Sequence, residues 1–362
     1  MKVLHFGSNY LPNKGGNVVR MTSMLENNDS DMELFIMTTA VGNGFDDEAY
    51  YQKTSIYILR IAKLNDAYKI LPEVVEKYKI DTVITHIIPA NIIACRCLPK
   101  SVTIMTEIHS LIDSGIAKNF AKSLLHRFYL NRRTQKYFVL SMGAAEYIKK
   151  HYGVPIDKIV FLPNGCKKNS NGYSGGKEGF FTFGYIGTFY KWQGIRVIYD
   201  NAERILNIAD NVRLYLIGGG EMESELKALA DKYPGRIIIT GFLPKVEVQK
   251  YYKEIDVLII PRPSTLETET AIPLKIFESI EAGKPVIISN VFGLTEVLGE
   301  DEAFVYASGD TEGLSKACQH AYEDRELGKL KFDNAIQKLQ EWPEWKDVHK
   351  IQYHAIIGES ES

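Results

Sequence analysis

Residues suited to binding an anionic ligand are concentrated in the segment 261–285. A candidate strand ends at Pro261, a polar loop follows, and Pro273 stands where the next helix should start, a position that suits proline. A helix N-terminus offers free N–H groups and a partial positive charge. Lys275 lies in the first turn, and Glu278 follows three residues later on the same helix face.

This spacing predicts a site for phosphate and ribose. The Lys275 ammonium can reach an anion at the helix start, and the Glu278 carboxylate can accept hydrogen bonds from two vicinal hydroxyl groups. Together these groups indicate a nucleoside diphosphate. The alternative is a solvated amphipathic helix with a surface Lys–Glu pair, and the helix considered by itself favours that interpretation. The polar loop before it and the run AGKPVI after it shift the balance toward a ligand site.

The elements that must position these residues follow an α/β pattern. A chain of 362 residues is expected to form about two domains. Short apolar runs predict strands in the first half at 2–6, 33–38, 56–61, 82–88, 102–108 and 137–140. Amphipathic stretches at 67–78 and 144–151 predict helices between them. Continuous apolar strands that alternate with helices predict a parallel sheet covered on both faces.

The same pattern restarts in the second half. Strands are predicted at 181–186, 213–217, 236–240, 257–260, 285–289 and 303–306, with helices at 194–208, 221–232, 246–254 and 274–282. The turn Leu162-Pro163-Asn164-Gly165 and the polar stretch after it mark the seam. We therefore expect two Rossmann-like doubly wound domains, at 1–165 and 166–340, that face each other across a cleft. The segment 341–362 has apolar residues at helical spacing and should form a helix that returns to the N-terminal domain.

Bulk composition excludes several classes of protein. The net charge of −2 provides no basic field for nucleic acid. The four cysteines form no CxxC pair and no cluster at metal spacing, which indicates free thiols in a reducing compartment. The first residues lack the apolar core of a signal peptide, and no run approaches the roughly 20 apolar residues of a membrane span. We expect a cytoplasmic protein that can touch the cytoplasmic membrane peripherally.

The segment PLKIFESIEAGKPVI resembles the donor-site segment of glycosyltransferase family 4, whose members are retaining enzymes of the GT-B fold. The resemblance extends over most of the chain, through VLSMGAAEYIKKHYGV, IVFLPNG, GYIGTF, LYLIGGGE, ITGFLP and YYKEIDVLIIPR. These motifs also resemble the subset that makes bacterial capsule, O-antigen or exopolysaccharide repeats. The resemblance implies transfer of a hexose-type sugar from a nucleoside-diphosphate sugar to a hydroxyl of a glycan or lipid-linked saccharide, with retention and without a metal or other cofactor.

Two other functions stay open on the same fold. One is a catalytically inactive GT-B protein that binds a glycan or a partner protein. The other is a non-hydrolysing nucleotide-sugar epimerase, which would need carboxylates and histidines at different cleft positions, and this sequence does not show that set.

The carboxylate signature of the family is only half present. Its two Glu residues are separated by seven others, and Glu278 matches the second, the ribose ligand. The first position falls on Thr270, with Glu267 and Glu269 nearby but out of register. The family's first Glu lies near the transferred sugar, so the departure puts the sugar contact in doubt and leaves the nucleotide site intact.

The family's usual diphosphate cations are also missing. Thr188 follows Gly187 where the family has Arg, and Gln193 stands where it has Lys. Because the departing diphosphate gains negative charge, other groups must stabilise it. We expect Lys275 and Arg262 to do so with the helix dipole, although Arg262 could equally form a surface salt bridge. Lys191 could also stabilise the diphosphate, but the favoured interpretation is that its side chain is solvated.

The resemblance assigns further residues to the donor. Gly219 and Gly220 would form a wall of the pocket, and Phe242 and Leu243 would pack against the base, although a core position for Phe242 is nearly as well supported. The remaining donor contacts assigned to the segment before and within the helix are Ile272 and Leu274.

In the first domain, Gly15 and Gly16 are assigned to the acceptor and diphosphate side, and Asn17 and Arg20 to an anionic acceptor. His109 ends a strand and would contact the transferred sugar. Strand alternation would place Glu107 on the opposite face, and His86 is interpreted as structural.

The segment 118–136 interleaves basic and apolar residues. A basic amphipathic helix can lie on anionic lipid. It can equally bury its apolar face in the core and leave its charges in water, and this second interpretation is favoured for the sequence.

Overall fold

The structure is a computed structural model that describes residues 1–7, 9–13, 15–28, 30–168, 171–177 and 179–359, with only the backbone of Lys245. The chain divides into two compact units. One contains Met1–Gly165 and the C-terminal segment that begins at Pro343, and the other is Cys166–Trp342. The first boundary falls in the Pro163-Asn164-Gly165 turn, and the second follows Trp342.

The first unit contains a parallel sheet with seven strands in its described residues, in the order β3-β2-β1-β4-β5-β6-β7. Its strands are β1 Lys2–Phe6, β2 Glu33–Thr38, β3 Ile56–Arg60, β4 Thr82–Thr85, β5 Thr103–Ile108, β6 Thr134–Val139 and β7 Ile159–Phe161. The helices around it are α1 Gly16–Leu25, α2 Asp47–Thr54, α3 Ala67–Tyr78, α4 Ile88–Cys97, α5 Ile116–Leu125, α6 Asn131–Arg133 and α7 Met142–Tyr147. Short 3-10 segments are Leu64–Asp66 and Ile156–Lys158, and π-helical turns are His126–Leu130 and Ile148–Tyr152.

The second unit contains a parallel sheet with six described strands, in the order β10-β9-β8-β11-β12-β13. Its strands are β8 Phe181–Ile186, β9 Val212–Ile217, β10 Ile237–Ile239, β11 Val257–Ile260, β12 Val286–Ser289 and β13 Phe304–Tyr306. Its helices are α8 Ile195–Leu206, α9 Glu223–Ala230, α10 Lys245–Glu254, α11 Leu266–Thr270, α12 Lys275–Glu281, α13 Phe292–Thr295, α14 Gly313–Glu323 and α15 Arg325–Leu339, with a 3-10 turn at Lys191–Gln193.

Each sheet reverses its strand order at one point, between β1 and β4 in the first unit and between β8 and β11 in the second. Parallel strands covered by helices on both faces are buried, as β11 and β12 are throughout, which explains apolar runs such as VLII in β11 and VII in β12. Ligands of such sheets bind beyond the carboxyl ends of the strands at the reversal. The predicted α/β class with two Rossmann-like sheets is confirmed.

The C-terminal segment forms helix α16, Trp345–Ile357, in the first unit. Val348 is completely buried in a cluster with Met24, Leu25 and Leu162. Among the described residues, no helix is both long and apolar enough to cross a membrane.

Several predicted boundaries were wrong for local reasons. The strand expected at 82–88 ends at Thr85, because Pro89 starts helix α4 at its second residue. The loop expected after Pro261 contains helix α11. Thr265 caps the N-terminus of this helix, because its side-chain hydroxyl accepts a hydrogen bond from the Thr268 N–H. Strand β7 was missed because it is short, only partly buried and lies at the sheet edge.

The described part of the polar stretch after the seam is attached to the second unit. Asn171 and Ser174 donate backbone hydrogen bonds to the carbonyls of Glu281 and Gly283. Lys284, which is fully buried, donates to the carbonyls of Ser174 and Gly175. Backbone groups, together with the Tyr173 ring that packs against Phe332 with centroids 5.8 Å apart, therefore hold this stretch on the second unit.

Candidate functional site

Glycine turns at the carboxyl ends of β8 and β9 bring the backbone close together in the second unit. Gly187 and Gly218 have φ values of +153° and +141°, in a region that favours glycine. A Cβ at Gly218 would lie 1.9 Å from the Gly187 carbonyl oxygen, and a Cβ at Gly187 would lie 1.9 Å from Lys275 Nζ. The two turns and the start of α12 thus meet beside the reversal of the sheet.

Lys275, the first residue of α12, holds its ammonium directly over the Gly187 turn. Its Nζ lies 4.8 Å from the centroid of the Tyr185 ring, a cation–π contact. Within the described residues this ammonium has no hydrogen-bond or carboxylate partner. Burial lowers the pKa of Lys275 to about 8, the charge of Arg262 acts in the same direction, and Glu278 opposes it. Lys275 is therefore a half-buried cation without an ion-pair partner in the described chain.

Arg262 is a second such cation. It follows β11, is only 4% exposed, and donates from Nη1 to the Ala271 carbonyl at 2.8 Å. Its Nε is buried without a partner, and no carboxylate in the described chain lies within ion-pair distance. Burial lowers the pKa of Arg262 to about 10. The salt bridge considered for Arg262 is therefore absent from the described residues, and two uncompensated cations at one place form a site for an anion.

Glu278 lies in the first turn of α12, and its side chain is exposed. Its N–H is bonded to the Leu274 carbonyl at 3.1 Å, so the carboxylate projects from regular helical backbone. The structure thus places Glu278 and Lys275 three residues apart on one turn, with an accessible carboxylate beside an enclosed ammonium.

Thr270, at the position of the missing Glu, is buried at the end of α11, and its hydroxyl donates to the Leu266 carbonyl at 2.6 Å. The two nearby acids differ. Glu269 accepts from Ser264 Oγ at 2.6 Å and from the Phe292 N–H at 2.7 Å, so both of its oxygens are occupied.

Glu267 is half-buried and has no hydrogen bond or ion pair within the described ranges. Its charge acts on Arg262, whose pKa it raises against the effect of burial. Of the two acids, Glu267 is therefore the one whose carboxylate is not used in hydrogen bonds and remains available beside Arg262. The sequence could not distinguish Glu267 from Glu269, because their positions along the chain do not show that Glu269 is the one whose carboxylate bonds to Ser264 and Phe292.

Phe242 is not a core residue, since 69% of its side chain is exposed. Its ring lies over the glycine turn after β9, and a Cβ on Gly219 would lie 2.9 Å from Phe242 Cε2. The adjacent Leu243 packs instead against the core cluster of this unit. Phe242 thus offers an exposed aromatic face next to Gly219 and Gly220.

The other predicted donor residues have less distinctive surroundings. Thr188 accepts a hydrogen bond from Tyr185 Oη at its carbonyl oxygen, 2.7 Å away. Ile272 is buried in the core, so its side chain does not offer a binding surface, whereas Leu274 is half-buried at the N-terminus of α12. Lys191 is exposed, in line with the solvated interpretation.

Three histidines form a hydrogen-bonded row in the first unit, across the reversal between β1 and β4. His5 Nδ1 lies 3.0 Å from His86 Nε2, and His86 Nδ1 lies 2.8 Å from His109 Nε2. The two outer atoms, His5 Nε2 and His109 Nδ1, are buried without a partner. Burial is the main cause that lowers all three pKa values, that of His5 to about 4.

A proton count restricts this row. Three neutral imidazoles carry three N–H groups, and each of the two hydrogen bonds uses one. The third proton must then lie on an outer nitrogen, either His5 Nε2 or His109 Nδ1. The proton state of His109 Nδ1 is therefore tied to that of His5 through His86. The interpretation of His86 as purely structural missed this link, which arises only when three strand ends meet.

Glu107 lies beside this row, which corrects the expectation that it points away from His109. Its Oε1 accepts from Arg20 Nε at 2.7 Å and lies 3.7 Å from His109 Nε2. Residues 107 and 109 are two positions apart, and such residues share one face of a strand, so alternation along β5 does not separate them. Burial is the largest influence on Glu107 and would raise its pKa, but the charges of Arg20, His109 and His86 and the hydrogen bond from Arg20 together outweigh burial and hold that pKa well below its usual range.

Arg20 was predicted to contact an anionic acceptor, but the structure buries it away from any such ligand. It is 1% exposed, and its guanidinium also donates to the carbonyls of Leu162 and Pro163 and to Asn164 Oδ1. The turn interpreted as a seam therefore holds Arg20 against Glu107. The exposed helix start consists of Gly15, Gly16 and Asn17, and a Cβ at either glycine would meet nothing within 4 Å.

His86, Glu107 and His109 place potential metal-ligand atoms within 4.8 Å of one another. These atoms are already used: the two imidazoles bond to each other, and Arg20 holds the carboxylate. The neighbouring guanidinium also disfavours a second cation. The arrangement is therefore better described as a hydrogen-bonded row of histidines than as a metal site.

Known proteins resemble this chain in both units. The model for Glycosyltransferase Family 4 matches residues 19–168, and the model for Glycosyl transferases group 1 matches residues 181–324. An uncharacterized glycosyltransferase of Methanocaldococcus jannaschii is 23% identical over 285 residues, which is 74% of this chain and 71% of that protein. O-antigen chain mannosyltransferase C of Escherichia coli is 20% identical over 212 residues, and the match covers 55% of this chain but only 53% of that enzyme.

Solved structures share the whole fold. Anabaena HepE in complex with UDP superposes with a TM-score of 0.79 at 14% identity, over 99% of this chain and 100% of that chain. A glycosyltransferase from Rickettsia africae has a TM-score of 0.76 at 14% identity, over 99% of both chains. The two family matches include Arg262, Lys275 and Glu278 of the second unit and His86 and His109 of the first. With the shared fold they show that the chain is a glycosyltransferase of the GT-B fold, whose first half matches the family 4 model and whose second half matches the group 1 model.

Proposed function

We propose that this enzyme transfers a sugar from a nucleoside-diphosphate sugar to an acceptor hydroxyl, with retention of anomeric configuration and without a metal. The observation that carries the proposal is the pair Lys275 and Arg262, two enclosed cations without a carboxylate partner in the described chain. A diphosphate would neutralise both. Glu278 projects from the same helix turn and would accept hydrogen bonds from the ribose hydroxyls, and Phe242 would stack on the base.

The proposed reaction needs little chemistry from the protein. The acceptor oxygen bonds to the anomeric carbon as the bond from that carbon to the diphosphate oxygen breaks. The acceptor proton passes to an oxygen of the departing β-phosphate, so no protein general base is invoked. Lys275 and Arg262 stabilise the negative charge that develops on the leaving group. His109 would contact the transferred sugar through Nδ1, whose proton state depends on His86.

The acceptor is proposed to be a glycan or lipid-linked saccharide in the synthesis of a bacterial capsule, O-antigen or exopolysaccharide. Support comes from relatives of this kind, including capsular polysaccharide glycosyltransferase CapM of Staphylococcus aureus, 22% identical over 193 residues. We place the reaction in the cytoplasm, with which the four free cysteines are consistent.

A donor screen tests the proposal. Thermal shifts are measured with UDP-, GDP-, ADP- and dTDP-sugars, because a ligand that binds only the folded state raises its stability. The best donor is then assayed for nucleotide release with acceptor saccharides, in EDTA and with added Mg²⁺. We expect one donor class to stabilise the chain and equal turnover in both buffers. NMR of the product should show the anomeric configuration of the donor.

Glu278→Ala is the informative variant, because its side chain is exposed and its loss should not affect folding. It should remove most of the donor-induced thermal shift. The matched control is Asp333→Ala, an exposed acid of helix α15 in the second unit with no side-chain partner in the described chain. Donor binding without turnover for every acceptor would instead indicate a binding protein, and isomerised donor without transfer would indicate an epimerase.

A further inference from the structure

Two aromatic side chains lie exposed on the turn that follows β8 in the second unit. Tyr190 is 39% exposed and Trp192 is 42% exposed. Their ring centroids lie 6.4 Å apart, and the ring planes differ by only 14°. By contrast Phe189, the residue before them, is completely buried in the core of this unit. The turn therefore buries one aromatic ring and presents two nearly parallel rings to the solvent.

Hydrogen bonds hold this turn in one conformation. The Phe189 N–H donates to the Gly219 carbonyl at 2.8 Å, which joins the start of the turn to the glycine turn after β9. The Lys191 N–H donates to Glu221 Oε1 at 2.8 Å, and the Gly194 N–H donates to the Lys191 carbonyl at 2.9 Å. The backbone that carries the two exposed rings is thus fixed, so the rings need little ordering when a ligand binds.

Both ends of the turn lie against the unpaired cations of the proposed donor site. At its start, a Cβ on Gly187 would lie 1.9 Å from Lys275 Nζ. At its end, Gly194 has a φ of +86°, and a Cβ there would lie 1.7 Å from the Pro261 carbonyl oxygen and 3.1 Å from the Arg262 backbone nitrogen. A diphosphate bound between the two cations would therefore lie alongside this turn.

The side chains of the turn suit a saccharide. One face of a pyranose ring carries C–H groups that pack on an aromatic ring, while the hydroxyl groups project outward for hydrogen bonding. Gln193, beside Trp192, is half-buried, and its side-chain amide makes no hydrogen bond within the described residues. An amide both donates to and accepts from hydroxyl groups, and it carries no charge, so it suits a neutral sugar better than a phosphate.

Two features favour an acceptor glycan over the single sugar of the donor. Two neighbouring rings present a surface longer than one six-membered ring, which suits a chain of linked sugars. Both rings are also open to solvent, so a glycan can continue beyond them. Phe242 is a separate exposed ring, which the proposed donor site uses for the base.

We propose that Tyr190 and Trp192 form a stacking platform for the acceptor glycan beside the diphosphate site. The two rings pack against the C–H faces of neighbouring sugars, and Gln193 bonds to their hydroxyl groups. The platform presupposes the sugar transfer proposed above, because it holds the acceptor next to the diphosphate from which the transferred sugar departs. It makes and breaks no covalent bond, and it determines which saccharide is positioned for the reaction.

Tryptophan fluorescence of the full chain tests the platform without any turnover. Trp192 is exposed, whereas the other two tryptophans, Trp342 and Trp345, are half-buried. Quenching by acrylamide is measured with and without maltose, lactose, mannobiose and chitobiose. At least one disaccharide should protect the fluorescence from quenching, and more strongly than the methyl glycoside of its own sugar. The protection should be absent from Trp192→Phe, which keeps an aromatic face but removes the reporter.

Kinetics with the best acceptor saccharide test the role in transfer. Tyr190→Ala with Trp192→Ala should raise the acceptor KM about tenfold and leave the donor KM and the donor-induced thermal shift unchanged. Tyr190→Phe with Trp192→Phe should restore the wild-type acceptor KM. The control is Tyr129→Ala, which removes a 37% exposed ring before the start of β6 in the first unit and should behave as wild type. All substituted side chains are exposed, so thermal unfolding should not change.

The outcomes separate the platform from the sugar-transfer proposal. Protection of Trp192 by a saccharide in a chain that no nucleotide sugar stabilises would retain the platform and refute the donor site. Absence of protection by every saccharide would overturn the platform. A weaker affinity of the Tyr190→Ala, Trp192→Ala variant for the free nucleoside diphosphate would also overturn it, because the rings would then belong to the donor site.

Discussion

His86 Nδ1 and His109 Nε2 lie 2.8 Å apart, and this hydrogen bond joins the ends of two neighbouring strands. Because His86 also bonds to His5, it links the tautomer of His109 to that of His5. His86 is thus a positioning residue for the imidazole that the proposed reaction directs toward the sugar.

We expect His86→Phe to keep the ring volume but lower kcat about tenfold or more, because His109 loses its fixed orientation and tautomer. The KM for the donor should change little, since the cation site lies in the second unit. Steady-state kinetics separates the two parameters. His126→Phe, which removes a buried histidine outside the row, is the control, and equal kcat values for the two variants would contradict this role.

Removing the enclosed cation should weaken donor binding. Lys275→Met is expected to raise the donor KM about tenfold to a hundredfold, since a hydrogen bond to a charged group contributes roughly 1.5–3 kcal/mol. Lys191→Met, at an exposed lysine, should leave KM unchanged. A similar KM for Lys275→Met and wild type would place the diphosphate elsewhere.

The pKa of Lys275, about 8, also predicts a pH dependence. Its ammonium is charged below this value and neutral above it, so the donor KM should rise as the pH increases through about 8. The KM is measured from pH 7 to pH 9.5. The rise should be absent from Lys275→Met and retained in Lys191→Met.

Substitutions of Glu267 and Glu269 should have different effects, one on turnover and the other on stability. Glu269→Gln removes charge from two hydrogen bonds, to Ser264 and to the Phe292 N–H, and should lower stability by about 1–2 kcal/mol. Glu267→Gln should leave the melting temperature unchanged but reduce turnover, because its carboxylate is the one available beside Arg262. Calorimetry and steady-state kinetics are measured for both variants. A stable Glu269→Gln with reduced turnover and a destabilised Glu267→Gln would contradict these assignments.

Phe242→Ala tests the stacking surface. Because 69% of the side chain is already exposed, thermal stability should be unaffected. Loss of an aromatic face should weaken binding of the free nucleoside diphosphate about tenfold, which calorimetric titration can measure. Val246→Ala, at another exposed apolar position nearby, should bind normally. Unchanged affinity in Phe242→Ala would exclude contact with the base.

His126 should make the protein less stable in acid. Its pKa is lowered from 6.5 to about 4, by burial first and by the Lys122 charge second. The unfolded state therefore binds more protons between these values, so the stability contributed by neutral His126 is present above pH 6.5 and lost as the pH falls toward 4. At pH 5 the loss is about 2 kcal/mol relative to pH 8.

His126→Phe keeps the stack on Tyr152 but cannot be protonated, so its stability should fall less between pH 8 and pH 5. Urea unfolding at both pH values measures the difference. His320→Gln, at an exposed histidine, should retain the wild-type pH dependence, because that side chain stays in water in both states. A wild-type slope in His126→Phe would show that other groups cause the acid sensitivity.

Local patterns were sufficient for much of the architecture and for identifying the residues at the centre of the proposed donor site. Unbroken apolar runs predicted twelve of the strands described here, and the helix at Ala67–Tyr78 was predicted at its observed bounds. Lys275 and Glu278 were identified because their spacing on one helix turn is a property of consecutive residues. Edge strand β7 and helix α11 were missed because their patterns are short and only partly apolar.

The sequence by itself determined the α/β class, the two sheets and the segment that carries Lys275 and Glu278, because these depend on periodicity and short-range spacing. Only the tertiary structure decided that Arg20 is buried against Glu107, 87 residues away, and that three histidines form a hydrogen-bonded row. It also decided that Phe242 and the apolar residues of helix α5 are exposed. Burial and long-range pairing depend on which elements pack together, and no local pattern specifies that.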